Sequence, residues 1–115
     1  MAVHEMYQYK NRGEALALTA LSAVGATDTV KVMGCKAFTW QYVVASINTS
    51  VTVRVEGSLD NSSWFNLETS DTTKTANGTY YINWSGEGEI AYTRFYFVAE
   101  VGGAAATITP TIYAA

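Results

Sequence analysis

The stretch Val51-Thr52-Val53-Arg54-Val55-Glu56 decides the fold class. Valine alternates with a polar residue at every step. Side chains that are β-branched and repeat with a period of two are typical of a strand with one buried face. The pattern therefore predicts a strand whose valines face a core and whose Arg54 and Glu56 lie on the outside.

The same alternation recurs on both sides of this strand. Upstream, the run from Ala37 to Ile47 places large apolar residues on one face: Phe38, Trp40, Tyr42 and Val44. Downstream, the run from Ala91 to Val101 does the same with Phe95, Phe97, Ala99 and Val101. Strands that each carry large apolar residues along one face predict a core between two facing sheets. We expect four residues to be buried in it: Val53, Val55, Phe95 and Phe97.

Shorter runs between turn residues complete the pattern. They cover 15–23, 29–33, 64–67, 80–84 and 107–113, while the polar stretch 68–78 is typical of an exposed loop. About eight strands at this spacing predict an all-β, antiparallel β-sandwich with jelly-roll-like connections. Pro110 has no N–H to give to a ladder, so the last strand should lie at a sheet edge or be irregular there.

The domain boundaries are predicted from the position at which the alternation of apolar and polar residues begins. The length of 115 residues fits one domain, predicted to span 14–115. Residues 1–13 lack a period but combine charged and large side chains, which indicates an arm that orders on a partner; a frayed terminus is the alternative. The partner-binding candidates lie in this arm and in the polar loop: Met6, Tyr7, Tyr9, Arg12, Asp71 and Lys74.

Composition narrows the classes of function. Charged residues make up 15% of the chain, whereas about 25% is usual, so part of the surface is expected to be covered by a partner or by further copies. The net charge of −3 argues against binding to nucleic acid. The chain begins with no basic and apolar leader and contains no run of 18 apolar residues, so the pattern predicts synthesis in the cytoplasm and no membrane span.

Residues suited to catalysis are few and scattered. His4 is the only histidine and lies in the predicted arm, and Cys35 is the only cysteine. A thiol without a histidine to activate it is expected to be an inert core residue. Glu87 and Glu89 lie in a glycine-containing turn that lacks the spacing of a calcium loop. The sequence therefore predicts a protein that is not an enzyme and has no metal or cofactor.

The stretch Val53-Arg-Val-Glu-Gly-Ser-Leu-Asp-Asn-Ser-Ser-Trp-Phe-Asn-Leu67 resembles a motif of small structural proteins of tailed bacteriophages. Similar segments flank it, so the resemblance covers roughly 16–113. Asn61 stands where that motif often has glycine, and asparagine also adopts the left-handed conformation. The resemblance implies a capsid decoration, or cement, protein made in the host cytoplasm and located on the virion surface. Its implied partners are the major capsid protein and its own copies, with a homotrimer favoured.

A carbohydrate-binding sandwich is the alternative function. The Ser-x-Asp-x-x-x-Trp pattern also resembles discoidin-like carbohydrate-binding domains, which would use exposed aromatic rings as stacking platforms. The position of the tryptophans separates the two hypotheses. Alternation places Trp40 and Trp84 on inward faces, whereas the position of Trp64 is left open.

Overall fold

A computed structural model describes the backbone of residues 3–5 and the whole of residues 15–67, 71–85 and 90–114. These residues form two sheets and no helix, and eleven strands follow one another along the chain: β1 (Val3–Glu5), β2 (Leu16–Ala17), β3 (Gly25–Ala26), β4 (Thr29–Lys31), β5 (Ala37–Ala45), β6 (Ser50–Ser58), β7 (Phe65–Asn66), β8 (Thr72–Lys74), β9 (Gly78–Ser85), β10 (Tyr92–Val101) and β11 (Thr107–Ala114). With no helix described, the described residues contain none that could cross a membrane.

The two sheets pack face to face as a sandwich. Sheet A has the order β1-β4-β10-β6-β7, with β3 also pairing β10 and β8 also pairing β6; sheet B has the order β2-β11-β5-β9. Pairing is antiparallel except between β1 and β4. Because β4, β5, β6, β9, β10 and β11 pass back and forth between the sheets, the connections are jelly-roll-like. The predicted fold class is confirmed.

The core lies between the sheets and consists of the inward residues of the long strands. Val53, Val55, Phe95 and Phe97 are at most 1% exposed, as predicted. From sheet B, Trp40 is fully buried and its indole N–H donates to Thr93 Oγ1 at 3.2 Å. That hydroxyl in turn donates to a backbone carbonyl of β6 at 2.8 Å, so the buried polar groups linking the two sheets are satisfied.

The second half of β10 differs from the prediction. The register against β6 shifts between Phe97 and Ala99, because Val98 is an extra residue that forms a β-bulge. Beyond the bulge Ala99 lies opposite the outward Thr52, and Val101 is 55% exposed. The prediction that Ala99 and Val101 share the inward face of Phe97 is therefore wrong, since one added residue turns every later side chain to the other face.

Three further segments differ from the prediction in detail. In 15–23 only β2 is a strand, followed by one bridge between Leu21 and Ile108. The loop predicted at 68–78 contains β8 and the first residue of β9. Strand β11 lies between β2 and β5 and not at the edge of the sheet. Its described pairing with β2 covers only Thr111 and Ile112. The ladder is therefore interrupted beside Pro110, because proline has no N–H to donate.

The predicted arm is described in one short piece. Val3–Glu5 form β1 and pair with β4 of the same chain. The other residues of 1–13, including Met6, Tyr7, Tyr9 and Arg12, lie outside the described residues, as does residue 14. Binding of a partner by this segment stays a prediction.

Tyr42 yields a stability prediction because its hydroxyl is fully buried and, among the described residues, has no hydrogen-bond partner. Removing an unsatisfied buried hydroxyl removes its desolvation cost, so we expect Tyr42→Phe to raise the free energy of unfolding by about 1 kcal/mol. Denaturant titration measures this. Tyr80→Phe is the matched control: the Tyr80 hydroxyl donates to the Ala76 carbonyl at 2.6 Å, so its removal should not stabilise the fold. Equal effects of the two substitutions would contradict the assignment.

The same residue sets an alkaline limit on stability. Burial, with a smaller contribution from the neighbouring Tyr80, raises the pKa of Tyr42 from its ordinary value of 10.0 to about 12. Between these values the unfolded chain loses the proton while the folded chain keeps it, so stability falls as pH rises from 10 towards 12. The free energy of unfolding of the Tyr42→Phe variant should fall less steeply between pH 10 and 12 than that of the unsubstituted chain.

Candidate functional site

Among the residues that the structure describes, the outward face of sheet B carries no charged side chain. Alternation turns every second residue of its three long strands away from the core, and all of these residues are partly or fully exposed. They form what we call the uncharged face: Ala37, Thr39, Gln41, Val43 and Ala45 on β5, Thr79, Tyr81, Asn83 and Ser85 on β9, and Thr107, Thr109, Thr111 and Tyr113 on β11. A surface of hydroxyls, amides, methyls and two phenol rings can contact a neutral, hydroxyl-rich or amphipathic partner without desolvating a charge.

Two tyrosines stand at opposite sides of this face. Tyr81 is 68% exposed and Tyr113 is 42% exposed. In the register of the sheet Tyr81 lies opposite Gln41, and Tyr113 lies opposite Thr39. Two strand spacings sideways and two residues along the strand separate the tyrosine Cα atoms by about 12 Å. Gln41 and Thr39 lie between the two rings.

Two of the polar side chains between and beside the rings, Thr39 and Asn83, are joined by a hydrogen bond. Thr39 Oγ1 donates to Asn83 Oδ1 at 2.6 Å across β5 and β9. With its oxygen occupied, the Asn83 amide still has its NH₂ donors, and Gln41 is exposed with a donor and an acceptor group. The uncharged face therefore presents hydrogen-bonding groups of both kinds flanked by two aromatic rings.

The outward face of sheet A is different in kind, because it carries a charged network centred on Glu56. Glu56 accepts from Arg54 Nε at 2.8 Å and from Arg94 Nε at 2.7 Å, and its side chain is 6% exposed. Arg54 also lies 3.7 Å from Asp71. These charged groups pair with one another, so the network leaves little charge to recognise a ligand.

Two aromatic rings on the outside of sheet A, those of Trp64 and Tyr96, are covered by this network. The Arg94 guanidinium lies 4.2 Å from the ring centre of Trp64, and Arg54 and Arg94 lie 5.0 and 5.4 Å from that of Tyr96. Cation–π contacts of this kind occupy the ring face that a ligand would stack on. Sheet A is therefore the weaker candidate for a binding surface.

The motif that carries the phage resemblance is a structural turn. Ser58 Oγ accepts from the backbone N–H of Asp60 and Asn61, and Asp60 Oδ1 accepts from Ser62 and Ser63 at 2.8–2.9 Å. The N–H groups of Ser63 and Ser62 and the Ser58 hydroxyl lower the pKa of Asp60. Asn61 has a φ of 60°, which confirms the predicted left-handed conformation. The turn brings Trp64 back onto sheet A.

The tryptophans are placed as alternation predicts. Trp40 is fully buried, and Trp84 is half-buried and stacks on Phe38 with ring centres 5.1 Å apart. Trp64, which the sequence leaves open, lies on the outside of sheet A beside Arg94. No tryptophan of the three lies on the uncharged face, where the exposed rings are Tyr81 and Tyr113.

The residues considered for catalysis are not brought together in the described part of the chain. Cys35 is buried, which raises the pKa of its thiol. Glu87 and Glu89 lie outside the described residues, and so does the side chain of His4. Among the described residues no group of three or more histidine, cysteine, aspartate or glutamate side chains could hold a metal ion.

One described cavity of about 270 Å³ has a lining with little chemistry: Thr19, Ala20, Leu21, Ala26, Thr27 and Asp28. Asp28 is the one ionisable residue of this lining. Thr27 directs its hydroxyl to a backbone carbonyl at 2.9 Å and accepts from the Phe95 N–H at 3.0 Å. The Thr27 hydroxyl of this lining is therefore engaged within the fold.

The two described partner-binding candidates lie apart from the uncharged face. Asp71 is exposed, accepts from Asn66 Nδ2 at 3.2 Å and lies near Arg54 of sheet A. Lys74 is on β8, with its ammonium 4.4 Å from the ring centre of Tyr80. The structure does not bring them together with Tyr81 and Tyr113, which the sequence analysis did not single out. The signal for those two was the lack of charge at alternate positions of three strands.

Comparison with known proteins adds little beyond the fold. Neither a protein-family profile nor the sequence of a characterised protein matches this chain. A solved structure described as "CBM4 structure and function" aligns with 94% of this chain and 82% of its own, at 13% identity and a TM-score of 0.48.

Proposed function

We propose that this chain is a non-enzymatic binding module that holds a neutral glycan on the uncharged face. The observation that carries the proposal is the pair of exposed rings, Tyr81 and Tyr113, with Thr39, Gln41 and Asn83 between and beside them. The described residues of this face include no charged one. A pyranose ring has an apolar C–H side that packs on an aromatic ring and a rim of hydroxyls that pairs with amides.

The shape of the face indicates the length of the ligand. Small ligands are held in concave pockets that bury most of their surface, whereas this face is the surface of a sheet. An open sheet face with two exposed tyrosines whose Cα atoms lie about 12 Å apart suits a chain of several sugars lying across the strands. Binding should be weak, with a Kd of about 0.1 mM for an oligosaccharide, because one side of the ligand stays in water.

Substitution of the tyrosines tests this proposal. We expect Tyr81→Ala and Tyr113→Ala each to weaken binding by about tenfold, because each removes one stacking platform. Calorimetric titration against a panel of neutral oligosaccharides, chosen after affinity electrophoresis in the matching polysaccharides, measures the change. The fold should be unaffected, since both side chains are exposed.

Tyr92→Ala is the matched control. Tyr92 is a half-buried tyrosine of β10 whose side chain lies on the outer side of sheet A, so its loss should leave glycan affinity unchanged. Binding to no member of the panel, or equal losses for Tyr92→Ala and Tyr81→Ala, would contradict the proposal.

Virion decoration is the second candidate, with the major capsid protein and further copies as partners. The low charge of the surface favours it, together with the exposed tyrosines, which bring a large contact area at a small cost in side-chain entropy. Co-sedimentation with capsids that lack this chain separates the two candidates. Sedimentation that depends on Tyr81, with no binding across the glycan panel, would support decoration and remove the glycan proposal.

A further inference from the structure

Strand β9 forms a long edge of sheet B. It pairs with β5 along eight residues without a register shift, and no described strand pairs with its other side. The other terminal strands of the two sheets, β1, β2 and β7, have two or three residues each. Proteins often keep edge strands short, which prevents pairing between molecules. Strand β9, with eight residues, is a long edge strand.

The hydrogen-bonding groups on this edge can be assigned from Pro110. The Pro110 carbonyl accepts from Leu18, so the backbone groups of Pro110 point away from β5. Pro110 lies opposite Tyr42, and the two form a pair without hydrogen bonds between them. The backbone N–H and C=O of Tyr42 therefore point to the other side, towards Tyr80 of β9, and those of Tyr80 point back to β5. By alternation, four residues of β9 direct both N–H and C=O to the outer edge: Thr79, Tyr81, Asn83 and Ser85.

The side chains of β9 carry none of the usual features that protect an edge. The sequence Gly78-Thr-Tyr-Tyr-Ile-Asn-Trp-Ser85 has no charge and no proline, and its pairing shows no bulge. Tyr80, Ile82 and Trp84 face inward but remain half-buried where the sandwich ends. A further strand at this edge would cover them.

We propose that the outer edge of β9 pairs with β9 of a second copy of this chain, antiparallel about a two-fold axis at Ile82. A two-fold interface must be complementary to itself, and an uncharged strand meets its copy without repulsion. With Ile82 opposite Ile82 of the second copy, Tyr81 lies opposite Asn83 and Thr79 lies opposite Ser85. All four outward-directed residues then pair, giving about eight hydrogen bonds between the two backbones.

One described charged side chain beside this edge also suits the pairing. Lys74 lies over Tyr80, near one end of β9. In the antiparallel arrangement Tyr80 lies opposite Trp84, so the two lysines are at opposite ends of the interface. The product is one continuous eight-stranded sheet in which the uncharged faces of both copies adjoin and the two Tyr81 rings flank the axis.

Two double variants test the partner and the register together. Thr79→Lys with Ser85→Lys places like charges directly opposite at both ends of the interface, whereas Thr79→Glu with Ser85→Lys places opposite charges there. We expect the first to weaken dimerisation by about tenfold and the second to leave it intact, because opposed like charges destabilise a strand pair. Both positions are exposed, so both variants should melt as the unsubstituted chain does.

Light scattering gives the mass of each protein. The unsubstituted chain of 12.5 kDa should have twice that mass at about 100 μM. In the dimer the edge amides of Tyr81 and Asn83 should exchange slowly, which checks the interface without any substitution. A monomer at this concentration, the three-chain mass that the phage resemblance favours, equal dissociation of the two variants, or fast exchange of these amides would overturn the proposal.

Discussion

Phe97→Ala should lower the free energy of unfolding by about 3–5 kcal/mol, because it leaves a cavity at the centre of the sandwich. Phe97 is fully buried and lies opposite Val53 of β6, which is also fully buried. The surrounding core comes from both sheets, so neither can move far to fill the space. Chemical denaturation followed by circular dichroism measures the loss.

Val101→Ala is the matched control on the same strand. The sequence predicts that Phe97 and Val101 share a face, but the bulge at Val98 turns Val101 outward, where it is 55% exposed. Its truncation should cost less than about 0.5 kcal/mol. A large cost at Val101 would mean that the bulge is misplaced, and a small cost at Phe97 would contradict its place in the core.

Glu56→Ala should lower the free energy of unfolding by about 2–3 kcal/mol. The carboxylate is nearly buried and pairs with two guanidinium groups at 2.7 and 2.8 Å. Removing it takes away the carboxylate between Arg54 and Arg94 and leaves Asp71, 3.7 Å from Arg54, as the remaining acid of the described network. The cost falls short of that for fully buried pairs because the two arginine side chains are 30% and 18% exposed.

Asp71→Asn is the control for this network. Asp71 is the outermost member, 3.7 Å from Arg54 and 34% exposed. A pair this exposed contributes little, so its neutralisation should cost less than about 0.5 kcal/mol. Equal costs at Glu56 and Asp71 would show that the network is a surface feature. The measurement is denaturant titration at low and at high salt.

The regular strands could be predicted from sequence and the irregular ones could not. Alternation was sufficient for β5 and β6, where apolar residues such as Trp40 and Val53 fill most inward positions and most outward residues are small or polar. It failed at Val98, since the bulge inserts one apolar residue among apolar neighbours and leaves the composition of the strand unchanged. It also missed β8, whose threonines and lysine are typical of a loop and which exists only because β6 pairs with it.

The candidate site could not be predicted without the order of the strands in the sheet. The sequence shows outward polar residues on each of β5, β9 and β11, but the order of the strands is what unites them into one face. Burial of Glu56 likewise depends on Arg94, which lies 38 residues further along the chain. No local pattern indicates a contact over that distance, so the sequence placed Glu56 on the correct face but did not predict its burial.

The proposal that the uncharged face of sheet B is the binding surface can be tested directly by nuclear magnetic resonance. Backbone amide shifts would be followed while the best glycan of the panel is added to the isotope-labelled chain. We predict perturbations concentrated at Gln41, Tyr81 and Tyr113, with none above background at Arg94 and Trp64. Perturbations centred on Arg94 and Trp64 would place the ligand on sheet A and contradict the account.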